Sequence, residues 1–272
     1  MGKTVAVLSG KGGTGKTFVT AMLSRALAEE GKTVLCIDMD FGLRGLEMAL
    51  GITTPILHHV LDVCEGKTDI REAALPHPNC PKLKLLAAPQ TKTWKDLEEK
   101  KLEVLLKDME EAYDWIFLDG PAGIGKGAEL CARSCREVLL VSLLEPLSLR
   151  AADKMSAACA GWGRREQSMI LNQIPSRMPK GYEEGEWKDL VSPEIVGFLP
   201  QEDKIREQFQ KGDGLWEIET KSLALCKTIG EYLAEPYGER KLGRIPRPDV
   251  KEKKRENSFI QKIYEALSNK KL

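Results

Sequence analysis

Gly10-Lys11-Gly12-Gly13-Thr14-Gly15-Lys16-Thr17 fits the spacing G-x-x-x-x-G-K-[ST], the phosphate-binding loop. The glycines let backbone N–H groups curl around phosphate oxygens with no Cβ in the way. A helix starting near Lys16 would point its positive end at the same anion. Lys16 would neutralise β/γ-phosphate charge, and the Thr17 hydroxyl would ligate Mg²⁺. The loop also holds a second lysine, Lys11, which a phosphate cradle does not need.

Magnesium takes carboxylates and water, and two acidic clusters close apolar runs. Asp119 ends "WIFLDG", the form of a Walker B aspartate that holds a metal-bound water. Asp38 and Asp40 end "LCIDMD", where strand alternation sends both side chains to one face. One can support the metal shell while the other aligns an attacking water; the residues alone do not say which. A lone acid at a strand end is as readily a helix cap or turn residue, and the phosphate loop upstream favours the functional reading.

These residues need a frame. "KTVAVLS" (3–9) is an apolar run of strand length, Thr17 to Glu30 repeats apolar residues at helical spacing, Gly31 stops it, and "KTVLCIDMD" (32–40) is a second buried strand. Strand, loop, helix, strand is a βαβ unit, which builds parallel sheets. Further strands are expected at 82–88, 115–120, 137–143, 168–174 and 195–200. Helices are expected over 96–111 and 147–161, with two more around the Gly212–Gly214 break. The fold class is α/β: a doubly wound, mostly parallel sheet of about seven strands with helices on both faces.

The 272 residues are expected to divide into one α/β body carrying the phosphate loop (1–236), a charged linker (237–257) and an amphipathic tail helix (258–272). No stretch of 18 uncharged apolar residues exists to span a membrane, and no signal peptide is expected before the first strand. The seven cysteines are odd in number and include no CxxC pair, the pattern of reduced cytoplasmic thiols. His58, His59 and His77 have no ligand spacing around them. Net charge is zero but uneven: residues 240–272 hold eleven Lys/Arg against four Asp/Glu, so the body is acidic and the tail basic. On a helical wheel Phe259, Ile260, Ile263, Tyr264, Ala266 and Leu267 cover an arc of roughly 160°. Three uses fit such a tail: docking on its own body, binding a partner or nucleic acid, or lying on an anionic membrane.

The pattern K-G-G-x-G-K-T is the deviant Walker A motif, and the sequence resembles the MinD/ParA family of P-loop ATPases, on the MinD side. The resemblance spans about 2–235 and is carried by "SGKGGTGKT" (9–17), "IDMDFGLRGLE" (37–47), "LDGPAGI" (118–124), "EPLSLRAADK" (145–154) and "VGFLPQED" (196–203). It implies ATP and Mg²⁺ as ligands, with Gly10 to Phe18 around the phosphates and Thr17, Asp38 and Asp119 at the metal. It implies that Lys11 crosses a nucleotide-sandwich homodimer to the partner's phosphates. It makes Asp40 the hydrolytic switch aspartate, 119–124 the second switch, Asn172 the adenine-reading amide, and Pro200 to Asp203, with Glu202, the loop over the base. Lys11, Lys16, Asp40 and Asp119 are thus the expected catalytic set. The family carries a similar C-terminal helix, and one such helix is a marginal anchor, while two on a dimer gain avidity of about a hundredfold.

The expected protein is a slow, partner-stimulated ATPase that cycles between cytoplasm and the inner membrane surface and helps place the division site. Two alternatives share its engine: a FlhG-like flagellar regulator, which usually has an N-terminal extension, and a ParA-type partition protein, whose DNA contacts need a basic body. A metal-cluster chaperone of the superfamily would need paired cysteines. Against the family pattern, Thr14, Phe18 and Gly120 are substitutions that remove no phosphate or metal contact. Leu144 with Glu145-Pro146 replaces Asn-Pro-Glu, and Ala151 stands where one of two regulator-binding aspartates is usual, Asp153 being the other.

Overall fold

The computed structural model describes residues 1–175 and 191–240. Its strands are β1 (Lys3–Ser9), β2 (Val34–Asp38), β3 (Leu75–His77), β4 (Cys80–Leu86), β5 (Trp115–Ala122), β6 (Glu137–Leu143), β7 (Gln167–Ile174) and β8 (Glu194–Pro200). Its helices are α1 (Lys16–Glu29), α2 (Gly45–Leu50), α3 (Val60–Cys64), α4 (Ile70–Ala73), α5 (Glu99–Ala112), α6 (Lys126–Ser134), α7 (Pro146–Gly161), α8 (Asp203–Lys211) and α9 (Lys221–Ala234), with a 3-10 turn at Trp94–Asp96.

One eight-stranded sheet runs β3-β4-β2-β5-β1-β6-β7-β8. All pairings are parallel except β3 with β4. The eighth strand is the edge piece Leu75-Pro76-His77. Three residues with a proline at the centre cannot serve inside a ladder, and they make a poor template for a further strand.

Both faces of the sheet are covered, which is why the strands read as continuous apolar runs. Along β1, Val5 and Val7 face one layer with α1 and α9, while Ala6 and Leu8 face the other with α5, α6 and α7. α1 is buried along nearly its whole length. Arg25 in its middle is buried too, and is satisfied by the Leu215 and Ile218 carbonyls at 2.9 and 2.8 Å and by Glu29 at 2.7 Å. That pins the loop between α8 and α9 to α1.

The expected strands and long helices all form, within a few residues of the sequence reading. The expected tail helix and most of the linker lie outside the described residues. Tyr237 and Arg240, at the start of that linker, pack on the body: the Tyr237 hydroxyl donates to Gln167 O at 3.1 Å, and Arg240 grips Glu137. Among the described residues no helix is long and apolar enough to cross a membrane.

Candidate functional site

The sheet order puts β2, β5 and β1 side by side, so the phosphate loop and both acidic clusters meet at the carboxyl ends of three adjacent strands. β1 stops at Ser9, whose hydroxyl donates to Lys11 O at 2.7 Å and starts the turn. Gly13 and Gly15 hold φ of 78° and 87°, the left-handed region glycine tolerates. At Gly15 space matters as well: a Cβ would lie 2.2 Å from Asn172 Nδ2.

The first bond of α1 runs from Val19 N to Gly15 O. The N–H groups of Lys16, Thr17 and Phe18 therefore have no carbonyl one turn back and remain free for an anion. Lys16 lies beneath the loop, 8% exposed. The Phe18 ring is in the core, so that residue offers the site only its backbone.

Asp119 accepts hydrogen bonds from the Thr17 hydroxyl at 2.7 Å and the Thr20 hydroxyl at 3.1 Å. Burial pushes its carboxyl above the usual range, while those hydroxyls and Lys16 pull it back. Asp38 pairs with Asp119 in the β2–β5 register. Its two oxygens accept from Asp40 N at 2.9 Å and Leu46 N at 3.1 Å, so this acid braces the segment carrying Asp40. Burial and the charge of Asp119 raise its pKa. Asp40 is half-buried and also raised by burial, with Lys16 opposing.

Buried acids whose pKa values are raised by desolvation mark a site short of positive charge, and a divalent cation fits it. Among the described residues no three His, Cys, Asp or Glu side chains converge as an all-protein cage would require. Mg²⁺ does not need one: it is held by one or two protein oxygens plus phosphate and water. Thr17 and Asp119 are adjacent and suited to that role, and Asp38 stands behind them.

The two loop lysines occupy opposite environments. Lys11 is on the rim, with Nζ 3.3 Å from Glu145 Oε2 and about a third of its side chain exposed. Glu145 is the residue at the N-cap of α7, before Pro146; its side chain makes no cap bond to its own helix and faces Lys11 instead.

On the far side of the loop, Asn172 lies in β7, two residues before the strand ends, and is buried. Its Nδ2 donates to Thr14 O at 2.9 Å, and Oδ1 has no hydrogen-bond partner among the described residues. An orphaned acceptor beneath a phosphate loop suits a base amine. Pro200 ends β8 opposite Ile174, the last residue of β7. The Glu202 carboxylate is engaged at α9, accepting from Lys221 N and Ser222 N, each at 2.9 Å.

Thr20 was missed in the sequence. It lies three residues after Thr17 on the same helix face, the spacing that could have revealed it. Phe41 and Trp94 were missed too: their rings stack across a long sequence gap that no local spacing reports.

A doubly wound sheet, a glycine loop feeding a helix N-terminus, a buried lysine and a threonine–aspartate pair at the metal position define a P-loop nucleoside triphosphatase. The AAA domain family matches residues 2–160. The septum site-determining protein MinD of Synechocystis is 32% identical over 218 residues, 79% of this chain and 82% of that protein. The MinD chain of a MinC:MinD cell division complex from Aquifex aeolicus superposes with a TM-score of 0.76 at 29% identity, over 87% of this chain and all of that one. MinD of Pyrococcus horikoshii, solved with Mg-ADP, superposes with a TM-score of 0.71 at 26% identity, over 86% of this chain and 96% of that one. The chain belongs to the MinD/ParA family of P-loop ATPases.

Proposed function

We propose that the chain is a MinD-like ATPase that dimerises on ATP, rests peripherally on the cytoplasmic face of the membrane through residues 258–272, and helps position the division site. One observation supports this reading: a single loop holds Lys16 buried and Lys11 on the rim, paired with the acid Glu145. A rim lysine paired with a carboxylate in the monomer is ready to exchange that partner for a second subunit's triphosphate, and dimers then form only while the γ charge is present. Leu43, Ile124 and Leu147 support the same interface. They are large, apolar and exposed on three segments that frame the loop, following Asp40, Asp119 and Glu145.

In the proposed hydrolysis, Lys16 and the free amides of 16–18 hold the β/γ-phosphates. Thr17 and Asp119 hold Mg²⁺, with Asp38 bracing the segment. Asp40, half-buried with its pKa raised, orients the attacking water. When bound, Mg²⁺ supplies charge neutralisation at the phosphoryl oxygens. Asn172 reads adenine through Oδ1, and Pro200 and Glu202 shape the base pocket. Turnover is slow until an effector protein binds. The Aquifex MinD partnered by MinC supports a protein partner of that kind.

The tail carries the membrane step. A single half-buried apolar stripe is a reversible anchor, and pairing two on one dimer makes attachment follow the nucleotide. Sedimentation with anionic liposomes and with duplex DNA, under ATP or ADP, tests this. ATP-dependent pelleting with liposomes that is lost on deleting 256–272 is expected. Membrane pelleting that ignores the nucleotide would end the switch reading, and DNA binding that survives the deletion would favour partition.

A specific observation favours the FlhG-like role as second reading. Ala151 offers no carboxylate, and Asp153 Oδ1 is engaged by Ser192 through its N–H at 3.1 Å and its hydroxyl at 3.0 Å. A surface built for a MinC-like or MinE-like regulator would leave such acids free. Pull-down of a MinC-like partner by the ATP-loaded chain decides between the two.

A further inference from the structure

Trp94 belongs to no phosphate-site segment. It sits in the 3-10 turn between β4 and α5, fixed by Thr93 donating to Asp96 Oδ2 through its N–H at 2.8 Å and its hydroxyl at 3.1 Å. Its ring nevertheless lies between the two acid-bearing segments. It stacks on Phe41 with centroids 4.0 Å apart and planes 20° from parallel. Phe41 directly follows Asp40, so the stack sets where that acid stands.

On its other side the indole crowds Gly127, at the start of α6, where the Pro121 ring of the second segment also lies. A Cβ on Gly127 would fall 2.3 Å from Trp94 Cε2, 2.6 Å from Cζ2 and 2.7 Å from Pro121 Cγ. Gly127 is therefore glycine because the indole and the proline ring occupy that space. Pro121 lies two residues beyond Asp119. The Asp40 segment is also tied to the chain leading into this turn, Gly42 N donating to Pro89 O at 3.1 Å.

A simple core filler would be fully buried, and Trp94 is only half-buried. Its ring lies between two loops that flank the phosphate loop, Phe41 following Asp40 and Pro121 following Asp119, and it also packs against the core layer. Such loops take two arrangements, set by whether a γ-phosphate is present to order them. A rigid aromatic wedged between two of them makes their arrangements interdependent.

We propose that Trp94 is a positioning residue that couples the Asp40 segment to the Asp119–Ile124 segment, so that triphosphate sensed at one sets the water-aligning acid at the other. This rests on the ATPase reading above. Trp94 touches no reacting atom. It acts through Phe41 and Pro121, so its loss lowers turnover and leaves nucleotide affinity nearly intact.

The test uses the full chain as wild type, Trp94→Phe, Trp94→Ala and Gly127→Ala. Equilibrium dialysis gives Mg-ATP affinity, steady-state assays give kcat and KM, and tryptophan emission is compared between Mg-ATP and Mg-ADP. Trp94→Ala should lower kcat about tenfold with affinity within about threefold, since small displacements of an aligning group cost rate more than binding. Trp94→Phe should keep kcat within about twofold, and Gly127→Ala, which expels the indole, should behave like Trp94→Ala. Wild-type emission should differ between the two nucleotides, and Trp94→Phe should erase that difference. If Trp94→Ala does not fold, Gly127→Ala and the emission comparison decide. Wild-type turnover in Trp94→Ala, affinity falling in step with kcat, or a nucleotide-dependent emission change surviving in Trp94→Phe would overturn the coupling. A wild-type chain that neither binds nor hydrolyses Mg-ATP would overturn the ATPase reading and the coupling together; normal wild-type turnover beside an unaffected Trp94→Ala defeats the coupling alone.

Discussion

Asp38 and Asp119 are paired residues across the β2–β5 ladder, both carboxylates buried at the carboxyl end of the sheet. Like charges held on neighbouring strands disfavour joint ionisation, and burial adds to the cost. A divalent cation beside Thr17 would supply charge of the opposite sign, which is the fit expected of a Mg-nucleotide site.

The pair makes stability depend on pH in a defined direction. Both folded pKa values are raised above the unfolded 3.8, so the folded state keeps its protons longer. The stabilisation is present below the unfolded value and is lost as pH rises through the raised folded values. Asp119→Asn removes one buried charge. The nucleotide-free variant should be more stable than wild type at pH 8 by roughly 1–3 kcal/mol, with the gap closing toward pH 4, while hydrolysis is lost. Urea midpoints across that range check it, and a gap that does not vary with pH would contradict the assignment.

Lys11 should separate assembly from stability. Its pair with Glu145 is exposed on both sides, and exposed pairs contribute little, so Lys11→Ala should change unfolding free energy by less than about 1 kcal/mol. Monomer nucleotide binding should persist because Lys16 is untouched. Dimers with ATP should vanish in sedimentation equilibrium. ATP-dependent dimers in the variant would remove Lys11 from the interface.

What was legible in the sequence was what depends on local spacing. The phosphate loop, the acids closing apolar runs and the alternation of strand with helix each follow from residues within a turn or a strand of one another. The 75–77 edge strand escaped because three residues with a proline carry no periodicity. The short helices α2, α3 and α4 escaped because a single turn or so offers no repeat to count. The brace from Asp38 to Leu46 N, the Lys11–Glu145 pair and the Phe41–Trp94 stack are products of topology. They join residues 8, 134 and 53 positions apart, and only the assembled sheet brings them together. The Asn172 reading came from resemblance, and the structure adds its bond to the loop itself.

Asn172 therefore has two duties, and substitutions should split them. Asn172→Ala removes the bond to Thr14 O and the free Oδ1 together, so ATP affinity should fall about tenfold or more. Inorganic tripolyphosphate, which has no base to read, should lose only the part due to loop support. Equal losses for both ligands in competition dialysis would mean that Asn172 supports the loop and does not touch adenine.

The opposite end of the sheet holds another buried charge cluster, and its test concerns where the body ends. Arg240 and Glu137 have side chains only 2% and 1% exposed. Both guanidinium Nη atoms reach the carboxylate, one at 2.7 Å, and the Arg240 guanidinium also lies near the Tyr232 and Tyr237 rings. Lys3 Nζ adds a contact to Glu137 at 2.8 Å. Burial alone would raise Glu137, but the hydrogen bonds of Arg240 and the charge of Lys3 outweigh it and leave its pKa lowered. A depressed carboxyl contributes stability above its unfolded value, lost as pH falls through the folded one. Arg240→Ala strands Glu137 without its bidentate partner, so it should cost about 3–5 kcal/mol at pH 7 and less in acid, where Glu137 can protonate. Arg240→Lys should recover only part, since an ammonium cannot make the two-pronged contact. Deleting 241–272 should leave the urea midpoint unchanged, and deleting 237–272 should lower it as Arg240→Ala does. If both truncations melt alike, Arg240 is a passenger, and the root of the tail is not part of the folded body.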